Sequence, residues 1–207
     1  SRMSNLIFQQ QGSSPTQAGA GYSQLYAKTD GIVYQQVGTN TEVPIMSGSQ
    51  VGKVLQVVTV TTDAISFSTT SDSNVDITGL VASITPSATS SKILVTAVVN
   101  CGGSDNNGVG LGLTRGGSRI GDSTETPGSS IRSVMAGCKL QDGNDISTIT
   151  LNYLDSPSTA SAAQYKVQVS CRSDGGAHTF RLNRSNDHNN QSCLVTASSI
   201  TLMEIAG

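Results

Sequence analysis

In the segment QYKVQVSC, Tyr165, Val167, Val169 and Cys171 take alternate positions, with Lys166, Gln168 and Ser170 between them. A two-residue period sends the first set to one face of an extended strand and the second set to the other. β-Branched, apolar-rich runs of similar length recur from Gly52 onward: KVLQVVTV, AISFS, VDITGLVASI, KILVTAVV, the alternating Val109, Leu111 and Leu113, IRSVMAGCKL, ISTITLNYL, HTFRL and CLVTASSITLMEI. Turn chemistry separates them: Thr-Thr-Asp, Pro86 to Ser91, Gly116-Gly117, QDGND and SDGG. No window of useful length combines a 3.6-residue period with helix caps. The expected fold is all-β, a jelly-roll-like antiparallel β-sandwich of roughly nine or ten strands.

Finer expectations follow from the same pattern. Gly79 interrupts VDITGLVASI and predicts a bulge. KILVTAVV is apolar at nearly every position, which suits a central strand covered on both faces. Gly110 and Gly112 on an outward face suggest close approach of another backbone. The core must be built mainly from Val, Ile, Leu and Ala, because aromatics are 4% of the chain and Trp is absent. A thin core and bare glycines hint at stability gained by association.

Charge narrows the function classes. Charged residues are 13% of the chain and the formal net charge is -2. No basic field is available for nucleic acid, and the composition lacks the high charge of a disordered chain. No apolar run reaches the roughly 18 residues of a membrane-spanning helix, and no secretory leader is visible. Cys101, Cys138, Cys171 and Cys193 are widely spaced, with no zinc-like Cys/His pattern. They read as small buried hydrophobes, with one disulfide as the alternative.

Residues 1 to 48 form a separate segment, and residues 49 to 207 the β-sandwich domain. SNLIFQQQ is a short extended run, followed by the linker-like QGSSPTQAGAG. LYAKTDGIVYQQ places Asp30-Gly31 between two short alternating runs, a hairpin signal. Such a hairpin buries little alone. Leu6, Ile7, Phe8, Leu25, Tyr26, Ile32 and Tyr34 therefore read as a docking set for a partner surface. The order Ser-Arg-Met suggests Met3 as the native start.

Catalysis finds little support. Asp105, Asp122, Asp142, Asp145, Asp155 and Asp174 stand in turn contexts, where Asp bonds its own backbone. Glycan hydrolysis needs two carboxylates set across a scissile bond, and no such pair is legible. His178 and His188 are the only candidate bases, and neither lies in a recognisable nucleophile setting. No enzyme, cofactor or metal site is expected. The best binding candidate is the loop of Asn183 to Gln191, where Arg184, Asn186, Asp187, His188, Asn189 and Asn190 offer paired donors and acceptors to sugar hydroxyls or backbone. Strand parity puts this loop at one end with those around Pro86, Asp122 to Ser130 and Asp155 to Ala163.

TGLVASITPSATSSKILV, LTRGGSRIG, LDSPSTASAAQYKVQV and SSITLMEI together resemble the C-terminal β-domain of tail fibres and related surface proteins of tailed bacteriophages, especially those of aquatic bacteria. YSQLYAKTDGIVYQQ is similar to a hairpin module near the start of phage virion proteins. The resemblance implies a homotrimer on the virion surface, joined to capsid or tail proteins through the N-terminal segment and displaying its β-domain to a host-surface glycan or protein. A loop histidine near a three-fold axis could then take a metal; His178 and His188 read instead as solvated loop residues. A long tail fibre would carry an adaptor domain and a shaft, and neither is legible here. That favours a short fibre, a head fibre or a capsid decoration (cement) protein that stabilises the head. A bacterial extracellular lectin would need an export signal.

Overall fold

The structure, a computed structural model, describes residues 10–11, 23–29, 32–37, 42–44, 51–104, 107–124, 134–140, 143–171, 178–187 and 194–207. Contacts divide the chain into two compact units, Ser1–Val51 and Gly52–Gly207. In the first, β1 (Gln10–Gln11), β2 (Ser23–Lys28), β3 (Val33–Val37) and β4 (Glu42–Pro44) form one sheet in that order. β2 and β3 are the expected antiparallel hairpin, with Ala27 opposite Val33 and the Lys28 N–H donating to the Ile32 carbonyl at 3.1 Å. Its turn residues Asp30 and Gly31 lie outside the described residues. β4 and β1 extend the hairpin to four strands, beyond the sequence expectation.

The second unit is built from two sheets. The first runs β5 (Val54–Thr62), β15 (Ser198–Ile205), β8 (Lys92–Gly103), β12 (Ser147–Asp155). β14 (Phe180–Leu182) pairs with the far end of β8, and β6 (Ser68–Thr69) with β14. The second runs β7 (Val75–Ile84), β13 (Ala163–Cys171), β9 (Asn107–Arg115), and β10 (Ser118–Ile120) and β11 (Ala136–Leu140) pair with β9. All these pairings are antiparallel. Counting the principal strands in chain order, with β10 and β11 sharing one place, the sheets read first-eighth-third-sixth and second-seventh-fourth-fifth. That is the connectivity of a jelly roll, two interleaved Greek keys.

The alternation seen in sequence is the alternation of burial. Ile93, Val95, Ala97 and Val99 of β8, with Ile200 and Leu202 of β15, face Leu111 and Leu113 of β9 and Tyr165, Val167 and Val169 of β13 in one core. Phe180 and Tyr165 are the largest side chains buried in it. Phe67 meets Phe180 edge-on, with centroids 6.1 Å apart. Gly79 takes φ +94° in β7, and the β7–β13 register shifts across it, as a bulge requires.

Several finer expectations are corrected. β8 is central in its sheet, but Leu94, Thr96 and Val98 on its outer side stay partly exposed. Side-chain alternation alone cannot tell a central strand from one covered on both faces. AISFS contributes only Ser68 to a strand. Ser170, assigned outward, is buried. Gly110 and Gly112 receive no foreign backbone: a Cβ at Gly110 would meet Val134, and one at Gly112 would meet the Arg119 guanidinium. That guanidinium lies across β9 and grips Asp122 through two bonds of 2.7 Å. Asp155 is not a turn former. It ends β12 buried, accepting from Arg115 Nη1 at 2.6 Å and the Tyr165 hydroxyl at 2.7 Å, a tie between the two sheets.

Glu204 occupies an inward position of β15 and is fully buried. Its Oε1 accepts from the Ser87 N–H at 2.7 Å, the Ser87 hydroxyl at 2.6 Å and the Ser91 hydroxyl at 2.7 Å. Its Oε2 accepts from Gln56 Nε2 at 2.5 Å. Burial pushes the carboxyl pKa up, but these four donors together outweigh it and hold the group down at about 2. The carboxylate thus binds the β7–β8 turn to β5 and β15.

Two outcomes follow. The folded pKa of Glu204 lies below the ordinary carboxylate value of about 4.3, so its stabilisation is complete above that value and is lost as pH falls from about 5 toward 2. In urea titrations across that range, Glu204→Gln lowers stability at neutral pH and flattens the acid limb. Leu202→Ala removes a fully buried side chain of β15 and lowers unfolding free energy by about 2–5 kcal/mol, read by the same titration.

Candidate binding surface

The register sorts the loops of the sandwich into two ends. One end gathers the turn of residues 85–91, the Gly116-Gly117 turn and the loop of residues 156–162, because Asp155 lies opposite Ile93 and Ala163 opposite Ile84. Gly52 and Ala206 are there too: the Gly52 N–H donates to the Ala206 carbonyl at 2.7 Å, and the Ala206 N–H to the Lys53 carbonyl at 2.8 Å. We call this the entry end. The other, far end gathers the chain after Thr62, Ser104, Gly143 to Ile146, His178 and Thr179, Asn183 to Asp187, and Leu194 and Val195. The Asn183 loop therefore does not share an end with those around Pro86 and Asp155 to Ala163, contrary to the parity expectation. The expected run HTFRL forms β14, but it is only three residues long and pairs with the last residues of β8, so it does not carry the chain across the sheet as the count assumed.

The far end is organised around Asn183, which sequence reasoning did not single out. It is fully buried with φ +59°, a left-handed conformation that Asn adopts more readily than most residues. Its Nδ2 donates to the carbonyls of Thr62 at 2.9 Å and Ala64 at 3.1 Å, and its Oδ1 accepts from the Ser198 hydroxyl at 2.6 Å. Its own N–H donates to the Asn100 carbonyl at 2.8 Å. One side chain and its amide so join β5, β8 and β15. An Asn directly after a short strand was the available signal, but Thr62, Ala64 and Asn100, which bond to it, lie more than 80 residues away in sequence.

Around it the candidate binding residues take distinct places. Arg184 pairs across a bridge with Val195, and its Nε donates to the Ile65 carbonyl at 3.0 Å. Burial, and then the like charge of Arg181, lower its pKa from the usual arginine value. Asn186 accepts from Arg181 Nε at 2.8 Å through Oδ1. The N–H groups of Asn186 and Asp187 both donate to the Gly143 carbonyl, at 2.8 and 3.1 Å. Asp187 is exposed. His188, Asn189 and Asn190 lie outside the described residues. Arg184 and Asn186 are thus partly engaged in holding the loop, and the exposed Asp187 accepts from Asn186 Nδ2 at 3.3 Å through Oδ1. Asn144 and Asp145 are exposed at the same end, as are the aliphatic Leu194 and Val195, 64% and 56% accessible. The described residues of this end thus present amides, carboxylates, a guanidinium and two apolar side chains. Such groups suit multiple weak polar contacts.

Of the N-terminal candidates, Tyr26 is buried and stacks on Tyr34 at 6.1 Å, with Lys28 Nζ 4.4 Å from the Tyr34 ring centroid. Ile32 is partly buried and Leu25 is 48% exposed. Leu6, Ile7 and Phe8 lie outside the described residues. Among the described residues, no group of three or more His, Cys, Asp or Glu side chains could hold a metal ion, and no helix is long and apolar enough to cross a membrane.

The two outer sheet faces differ in charge. The outer side of the β7–β13–β9 sheet carries Asp76, paired with Lys166 at 2.8 Å, and the Arg119–Asp122 pair. Among the described residues of β5, β15, β8 and β12, the outer side carries one charged side chain, Lys92 at its margin, and Arg181 of β14 adds a second at the far end of β8. A row of Val57, Met203, Leu94 and Leu154 crosses all four strands. A row of Thr59, Thr201, Thr96 and Asn152 lies beside it. Within that row Thr59 and Thr201 are bonded at 3.1 Å, and Thr96 donates to Asn152 at 2.9 Å.

No family model matches the chain, and no curated protein does. Solved structures that align with it include that of infectious bursal disease virus Gx strain, at 14% identity and TM-score 0.40 over 84% of this chain and 43% of that one. The VP2 subviral particle of infectious bursal disease virus aligns at 13% identity and TM-score 0.40, over 88% of this chain and 49% of that one. T=1 particles derived from the same virus align at 14% identity and TM-score 0.39, over 87% and 47%. The chain spans less than half the length of these structures. Likeness at this level assigns neither family nor function, and the jelly-roll assignment rests on the strand pairing.

Proposed function

We propose that this chain is a non-enzymatic structural protein of a bacteriophage virion. In this reading it is a trimeric surface fibre whose jelly roll is displayed outward and binds a host-surface glycan or protein. The single observation that carries the display reading is the polarity of the sandwich. Gly52, where the N-terminal unit joins, lies at the entry end, and Asn183 to Asp187 lie at the opposite one. A domain tethered at one end presents the other. The jelly roll, a fold used by viral capsid and lectin domains, supports the reading by analogy alone. So does the resemblance of TGLVASITPSATSSKILV and its companion motifs to phage fibre domains. The N-terminal unit, with Leu6, Ile7, Phe8, Leu25, Tyr26, Ile32 and Tyr34, is the proposed attachment to capsid or tail proteins. Arg184, Asn186, Asp187, His188, Asn189 and Asn190 form the proposed contact loop. Three weak contacts per trimer, repeated over a particle, give adhesion without a deep pocket.

A second reading, a capsid decoration protein that stabilises the head, is favoured by the nearly charge-free face of Val57, Met203, Leu94 and Leu154. Apolar surface crossing a whole sheet suits burial against a neighbouring subunit. In the fibre reading the same face meets the sister chains of the trimer.

The readings separate on intact particles. Host binding through the far end predicts that Asp187→Ala with Asn189→Ala lowers the adsorption rate by roughly tenfold or more, since a small loss at each site multiplies across the trimer. Heat resistance of the particle stays unchanged. Decoration predicts the reverse pattern: normal adsorption in that variant, and heat-labile heads when Leu154→Asp disrupts the sheet face. Unaltered adsorption in the loop variant contradicts the host-binding assignment.

A further inference from the structure

Cys101, Cys138 and Cys171 all lie toward the far end of the sandwich. β11 closes the β9 edge of the second sheet, and a short connection then carries the chain into β12 of the first. Cys138 of β11 lies opposite Val109, which on its other side lies opposite Cys171 of β13. Ser147, at the start of β12, lies opposite Cys101 of β8. Crossing from one sheet to the other in so few residues brings Cys138 against Cys101 and Ser147. Cys138 packs against the core cluster that contains Cys101, and each thiol perturbs the other's titration, as close neighbours do. No disulfide joins Cys101, Cys138 or Cys171 in this structure. Cys101 is fully buried and Cys138 partly exposed. Cys171 is buried and directs its Sγ to the Thr69 carbonyl at 3.5 Å.

This division of exposure fits the two roles of thiol–disulfide exchange. One thiol must be reachable from solvent, and the other must be close and shielded. Interaction with Cys101, and then with Ser147, outweighs burial and lowers the Cys138 thiol from its ordinary value, which favours its thiolate relative to a free cysteine. The same pairing, and burial, push the Cys101 thiol far up. The attacking thiol and the resolving thiol are thereby distinguished.

We propose that Cys138 and Cys101 form a thiol-exchange site that reacts with low-molecular-weight disulfides and closes to a cross-link between the two sheets. The Cys138 thiolate attacks one sulfur of the reagent disulfide; that S–S bond breaks, a Cys138–S–SR bond forms and one thiolate leaves. Cys101 gives its proton to the departed thiolate and attacks Cys138 Sγ. The mixed disulfide breaks, Cys101–Cys138 forms and the second thiolate leaves, taking up a proton. Two protein thiols are oxidised by two electrons, and one disulfide is reduced to two thiols.

The test treats the reduced full-length chain with excess oxidised glutathione, blocks remaining thiols with an alkylating agent after denaturation, and maps the peptides by mass spectrometry. The wild-type chain is expected to give a Cys101–Cys138 cross-link without lasting glutathione adduct, to melt at a higher temperature once cross-linked, and to revert on reduction with dithiothreitol. Cys101→Ala is expected to stop at a glutathione adduct on Cys138, and Cys171→Ala to cross-link as the wild type does. A persistent Cys138 adduct in the wild-type chain overturns the proposal. So does a cross-link to Cys171 or Cys193, or a Cys138 that stays reduced while the folded chain is exposed to the reagent. The wild-type map decides the matter even if a cysteine variant fails to fold.

Discussion

The sandwich depends on the strand Ser198–Ile205. It lies between β5 and β8, pairing with each over most of its length, so without it the first strand of the domain has no partner in its sheet. Its inward side chains include Ser198, Ile200, Leu202 and Glu204, all buried. Ile200 and Leu202 fill the core, while the two polar groups tie the ends. Ser198 bonds to Asn183 and the Asn100 N–H at the far end, and Glu204 binds Ser87, Ser91 and Gln56 at the entry end. A buried carboxylate is costly unless its oxygens are satisfied, and here hydroxyls, an amide and a backbone N–H satisfy them without a cation. The strand that closes the jelly roll is therefore fixed in register by polar contacts at both ends and by apolar packing between them.

Much of this architecture is legible in the sequence because strand burial has a simple period. Tyr165, Val167, Val169 and Cys171 point inward as their spacing requires. Gly79 marks its bulge, and β2 and β3 pair as the expected antiparallel hairpin. The misreadings share one cause: long-range pairing decides features that local pattern leaves open. Asp155 looks like a turn residue until Arg115 and Tyr165 come beside it from the other sheet. Gly112 looks like a gap for a neighbouring chain until Arg119, seven residues on, folds across it. The Asn183 loop moves to the other end because the short strand β14 pairs with the end of β8.

The candidate site was legible in part. Of residues 183 to 187, Asn183 and Ser185 are buried, Arg184 and Asn186 are partly buried and Asp187 is exposed. Composition cannot distinguish side chains that face a ligand from those that secure the loop. Arg184 and Asn186 do some of the second, through Ile65 and Arg181. The apolar pair Leu194 and Val195 went unnoticed because both were assigned to the final strand.

A domain with its entry and last residues at one end and its amide-rich loop at the other has a direction, and the proposed function depends on it. Epitope tags on intact particles measure that direction. One tag is inserted between Asn189 and Asn190, and in a second preparation one is fused after Gly207. Outward display of the far end predicts that antibody reaches the loop tag on intact particles and reaches the terminal tag only after the particles are disrupted. Access to the terminal tag with a shielded loop tag would contradict it.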